Sequence, residues 1–150
     1  MDMNRRDMVV AMAAFASLGG VLAQAQEPAD DTATMGVSKV FHFDQMKVSH
    51  YENGGWGRAV MHGTLPTGEF VGVHETMLPA GQMPHPAHKH RNTEFVLIRQ
   101  GTLEFLNNGK PEPVGAGDII YTASNQMHGL KNTGTTEALY FVVSVSHGQM

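Results

Sequence analysis

From Ser38 onward the chain shows no apolar pattern that keeps a helical period over a long window, and glycine or proline interrupts most candidate windows. Short β-type runs recur instead. They lie near Lys39–Phe43, Arg58–Thr64, Glu69–Leu78, Thr93–Arg99, Thr102–Leu106, Asp118–Tyr121, Met127–Asn132 and Ala138–Ser144. Turn signals separate them: Pro66-Thr67-Gly68, Pro79-Ala80-Gly81, Gln100-Gly101, Asn107-Asn108-Gly109 and Gly115-Ala116-Gly117. Asn108-Gly109 is a hairpin signal because both residues tolerate positive φ. Many short, evenly spaced strands imply an all-β sandwich or small barrel. No internal repeat is evident.

The remaining composition narrows the function classes. A length of 150 residues suits one domain with a real core, and 41% hydrophobic with 16% charged residues is an ordinary globular balance. The net charge of -4 and the scattered basic residues give no nucleic-acid footprint. With no cysteine, disulfides, thiolate metal sites and a cysteine nucleophile are all excluded. Nucleophile-elbow, phosphate-loop and zinc-protease motifs are missing as well. Nine histidines are the informative excess.

Residues 1–25 read as an export signal. Arg5-Arg6 forms a charged start, Met8 to Leu22 is apolar and uncharged, and Ala23-Gln24-Ala25 offers small-x-small cleavage chemistry. The apolar run is shorter than the roughly 20 residues a spanning helix needs, so no stable membrane anchor is expected. The arginine pair resembles a twin-arginine signal, with Asn4 and Met8-Val9 departing from the usual pattern. An exported, periplasmic or secreted bacterial protein is the expectation. Residues 26–37 lack periodicity and read as a flexible leader, with the β-barrel over residues 38–147.

His88 and His90 are two apart, and on a strand residues i and i+2 project to one face. Glu94 keeps that parity. Two imidazoles and a carboxylate are the makings of a site for a first-row divalent metal. His128, 34 residues beyond Glu94, starts another β run that a hairpin could carry across as a fourth ligand. A lone His-x-His would read as solvated loop histidines, but Glu94 and His128 at these distances favour the metal. His85 lies in Met83-Pro84-His85-Pro86, an extended loop stiffened by two prolines at the expected entrance. Together with Met83 and Tyr121 it is a candidate substrate contact, core packing being the alternative for Met83 and Tyr121. Either His74 or Glu75 faces the interior, and register decides which.

These residues carry a resemblance. Gly81, six residues, His88-Lys89-His90, three residues, Glu94, six residues and Gly101 resembles the first cupin motif, with one extra residue before His88. Gly117, five residues, Ala123-Ser124-Asn125, two residues, His128, three residues and Asn132 resembles the second. Ala123 stands where proline is usual and Asn125 where glycine is usual, but Asn125 can adopt the same left-handed turn. The resemblance implies a single-domain cupin, a double-stranded β-helix or jelly-roll barrel, with His88, His90, Glu94 and His128 around one divalent transition metal. Mn or Fe is favoured, and Ni, Co or Zn would also fit nitrogen and oxygen donors. Glu94 is the candidate catalytic base as well as a ligand. The implied activity is metal-dependent chemistry on a small organic substrate, foremost an oxygen-using, dioxygenase-like oxidation. Lyase and isomerase chemistry, or binding without catalysis, also occurs on this fold. The resemblance further implies a homodimer.

Overall fold

The computed structural model describes residues 35–147, so the export segment 1–25 and leader residues 26–34 lie outside the described residues. Nine antiparallel strands account for the fold. They are β1 Val48–His50, β2 Trp56–Thr64, β3 Glu69–Leu78, β4 Thr93–Gln100, β5 Thr102–Asn107, β6 Lys110–Gly115, β7 Ile119–Thr122, β8 His128–Asn132 and β9 Ala138–His147. A six-stranded sheet in the order β1-β2-β3-β9-β4-β7 faces a three-stranded sheet in the order β6-β5-β8.

Alternation along each strand builds the interior. Phe70, Leu78, Val96, Ile98, Ile120, Tyr140 and Val142 of the large sheet are buried, as are Leu103, Phe105 and Leu130 of the small one. The chain turns where the punctuation predicts. Asn108 and Gly109 both have positive φ between β5 and β6, and Asn125 adopts φ 60 in the turn before β8. Gly101 is required for a second reason, because a Cβ there would sit 2.7 Å from the Ala138 side chain.

Three expectations are corrected. Lys39–Phe43 is not a strand; Phe43–Gln45 forms a single 3-10 turn instead. The edge of β2 is occupied by β1, with Val48 opposite Arg58, which leaves the earlier segment no ladder to join. Strand β6 was hidden by Pro111 and Pro113, residues that break most strands. It pairs only with β5, and a sheet edge tolerates prolines because their missing N–H groups need no partner. Finally, Met35 does not lie loose in a leader, since its N–H donates to the Thr64 carbonyl at 2.8 Å.

Candidate metal centre

Strand parity is not what aligns the two neighbouring histidines. His88 and His90 lie in the irregular segment before β4, and His88 forms only an isolated bridge with His128. Reciprocal backbone bonds, His88 N–H to His128 carbonyl at 2.9 Å and His128 N–H to His88 carbonyl at 2.8 Å, clamp this loop to the start of β8. The turn holding Asn125 is tied to the same loop, its N–H donating to the His90 carbonyl at 2.7 Å. The two halves of the site are therefore joined through main chain before any side chain is considered.

The donor atoms then converge. The ligating nitrogens of His88, His90 and His128 lie within 4.8 Å of one another. Glu94, on β4, places Oε1 3.3 Å from His90 Nε2 and Oε2 3.7 Å from His128 Nε2. The opposite ring nitrogens are also engaged. His88 Nδ1 meets the Pro86 carbonyl at 3.2 Å, His90 Nδ1 the Asn92 carbonyl at 3.2 Å, and His128 Nδ1 the Gln126 carbonyl at 2.9 Å. A carbonyl can only accept, so each Nδ1 carries a proton and Nε2 is the ring nitrogen left to ligate a metal. Outer bonds of this kind orient and activate histidine ligands in metal sites. Burial holds the His88 imidazole below its ordinary range, which favours the neutral form that binds a metal. The donor set fits one divalent transition ion.

The cluster opens into a cavity of about 190 Å3 between the two sheets. That is smaller than the roughly 300–1,000 Å3 of sites that take drug-sized ligands. Register answers the question left open on β3: His74 lines the cavity, while Glu75 points outward. Burial also holds His74 below its ordinary pKa. His85 reaches the cavity wall and meets the His88 ring edge-on, at 4.3 Å between centroids. Burial lowers the pKa of His85 too.

Met83 and Tyr121 do not reach this cavity. Met83 uses its carbonyl to accept from the Asn53 amide at 3.4 Å. Tyr121 alternates with the inward Ile120 and Thr122, so it stands on the outer face of β7, exposed and stacked on Phe95 at 5.4 Å. Sequence reading missed Thr122 altogether. It lies opposite Glu94 in the β4–β7 ladder, a neighbourhood only the register reveals. Asn132, the last residue of the second motif, has a structural job: its amide donates to the Leu78 and Thr136 carbonyls, both at 2.8 Å.

Comparison with known proteins agrees with this architecture. Residues 74–144 match the cupin domain family model. An oxalate-binding protein of Thermotoga maritima is 33% identical over 82 residues, covering 54% of this chain and 56% of that protein. The match thus spans little more than half of that relative's length. The crystal structure of a predicted oxalate decarboxylase from Thermotoga maritima superposes with a TM-score of 0.58 at 26% identity, covering 71% of this chain and 98% of that one. An RmlC-like cupin from Shewanella frigidimarina gives a TM-score of 0.60 at 17% identity, covering 75% and 94%. In strand order, in motif and in likeness to solved structures alike, the described barrel has the fold of a single-domain cupin jelly roll.

Proposed function

We propose that this cupin holds one divalent transition metal, Mn or Fe before Ni, Co or Zn, through His88, His90, His128 and Glu94, and acts there on a small organic molecule. The observation that carries this reading is the set of three Nδ1-to-carbonyl contacts, which leave the three Nε2 atoms as the ligating nitrogens of one cluster. A bound ion would supply Lewis acidity toward a ligand oxygen or one-electron chemistry with dioxygen. The chain's own contributions are distinct. His85, close beside the His88 ring at the cavity wall, contacts what enters. Glu94, only 19% exposed, is placed to accept a proton from a bound molecule.

Within this reading the proposed reaction is an oxygen-using oxidation of a small phenol, diketone or organic acid. The second reading, a cupin that binds without catalysis, draws support from the relative named as an oxalate-binding protein. Metal analysis decides the common part: stoichiometric metal in wild-type protein and none in His88→Ala is the expected result. Metal-free wild-type protein at neutral pH would overturn it. Oxygen uptake by the Fe- or Mn-loaded protein then separates the readings, with silence across the panel alongside tight ligand binding favouring the second.

Export and dimerisation belong to the same proposal. Residues 1–25 fused to a reporter should carry it out of the cytoplasm, and Arg5-Arg6→Lys-Lys should stop a twin-arginine route. The outer face of β4 and β7 exposes Phe95, Leu97, Ile119 and Tyr121, an apolar surface that a second copy would cover.

A further inference from the structure

Thr122 carries the one buried side-chain hydroxyl among the described residues that lines the cavity without a hydrogen-bond partner. Its side chain is 2% exposed, it lines the cavity, and its Oγ1 has no hydrogen-bond partner among the described residues. Buried hydroxyls are normally bonded, so an orphan at a cavity wall marks a group waiting for a ligand atom. Its position says which one. Thr122 sits directly opposite Glu94 in the β4–β7 ladder, and both side chains point inward. Cross-strand neighbours of this kind have Cβ atoms about 5 Å apart. No hydrogen bond joins Thr122 Oγ1 to the Glu94 carboxylate, which instead faces His90 and His128.

The surroundings limit what the ligand can be. Beyond the histidine cluster the wall is largely apolar, with Val96, Phe105, Ile120, Leu130 and Val142. The Thr76 hydroxyl bonds the phenol of Tyr140, so neither is as free as Thr122. A hydroxyl donor beside four convergent metal-type donors, in a cavity of about 190 Å3 whose remaining wall is largely apolar, suits a short organic acid. Its anionic oxygen would accept from Thr122, and its carbon end would rest on the apolar wall.

Resting on the metal-dependent reading above, we propose that Thr122 is the ligand-recognition residue of this site, donating a hydrogen bond to a carboxylate oxygen of a short organic acid held at the histidine cluster. The hydroxyl then serves discrimination rather than folding. Amides and alcohols of the same shape, lacking a charged acceptor, bind less well.

Calorimetric titration of the Mn-loaded protein tests this, with acetate and pyruvate as acids and acetamide and pyruvamide as their uncharged amide counterparts. Thr122→Val keeps the shape and removes the hydroxyl. It should weaken acid binding by roughly ten- to a hundredfold, the scale of one hydrogen bond to a charged oxygen, and narrow the preference for acid over amide. Thr122→Ser should restore both. Metal stoichiometry should stay at the wild-type value in each variant. Because the hydroxyl has no partner in the folded chain, Thr122→Val should melt no lower than wild type. Unchanged acid binding in Thr122→Val, or a clear fall in its melting temperature, overturns the proposal. So does a wild-type protein that takes up metal and binds neither acid. That last result leaves the metal reading standing, whereas failure to bind metal at all sinks the reading beneath it.

Discussion

Two glutamates of the large sheet, Glu75 and Glu94, show how one side-chain type is put to opposite uses by its partners. Glu75 points outward from β3 and is fully buried, with Oε1 2.5 Å from Arg99 and Oε2 3.4 Å from Arg58. Arg58 is fixed in turn, stacked over Phe43 at 3.8 Å and donating to the Phe43 carbonyl at 2.8 Å. Both partners are permanent cations, so this carboxylate is neutralised within the fold and has nothing left to offer a ligand. Glu94 points inward from β4 and is met only by imidazoles. The Nδ1 atoms of both histidines are committed to main-chain carbonyls, so their Nε2 atoms are the ones turned toward it. No Lys or Arg pairs with it among the described residues, so it keeps its acceptor capacity for a cation or a ligand proton. Glu75 belongs to the stability of the sheet, and Glu94 to the candidate metal centre.

That contrast can be broken by experiment. Glu75→Ala strands Arg58 in a nearly buried position and should cost about 3–5 kcal/mol, the usual penalty for removing one side of a buried ion pair. Chemical denaturation followed by circular dichroism measures the loss, and the folded fraction should still take up metal. Equal destabilisation by Glu94→Ala in metal-free protein would erase the distinction between the two residues.

His128→Ala should lower metal affinity by more than about a hundredfold, beyond what loss of an outer-shell partner costs. The metal-free variant should remain folded, since the backbone clamp between His88 and His128 does not use the imidazole. Competition with a chelator reads the affinity. Wild-type affinity in this variant would show that the histidine cluster is not the site.

The smallest expected effect is a pH slope. Burial lowers the pKa of His74 from its ordinary 6.5, so the folded chain refuses a proton that the unfolded chain accepts. Above that value both states are neutral and the full stability is present; as pH falls below it, stability is lost. The melting temperature of metal-free protein should therefore decline from about pH 7.5 to about pH 5.5, and His74→Gln should flatten part of that decline. His85 and His88 act in the same direction. An identical slope in His74→Gln would assign the effect to those two alone.

Much of this molecule is legible from residue order. Glu69–Leu78 is the strand that the apolar alternation predicts, end to end, because a half-buried strand has to repeat every two residues. The positive φ of Asn125, standing where glycine is usual, follows from what an asparagine backbone can adopt. His88, His90, Glu94 and His128 can be named from spacing and motif, since their side chains have few other uses in such a pattern. Other features depend on pairing across the sheets. The His-x-His pair is aligned by a loop clamp rather than by strand parity, and no local pattern encodes a bond to a segment 40 residues away. His74 rather than Glu75 faces inward because β3 packs in one register between β2 and β9, and a shift of one residue would exchange them. Thr122 acquires meaning only from standing opposite Glu94. Residue chemistry and spacing are local properties and can be read along the chain; which face, which neighbour and which empty space a side chain meets are set by long-range register, and those exist only once the barrel has closed.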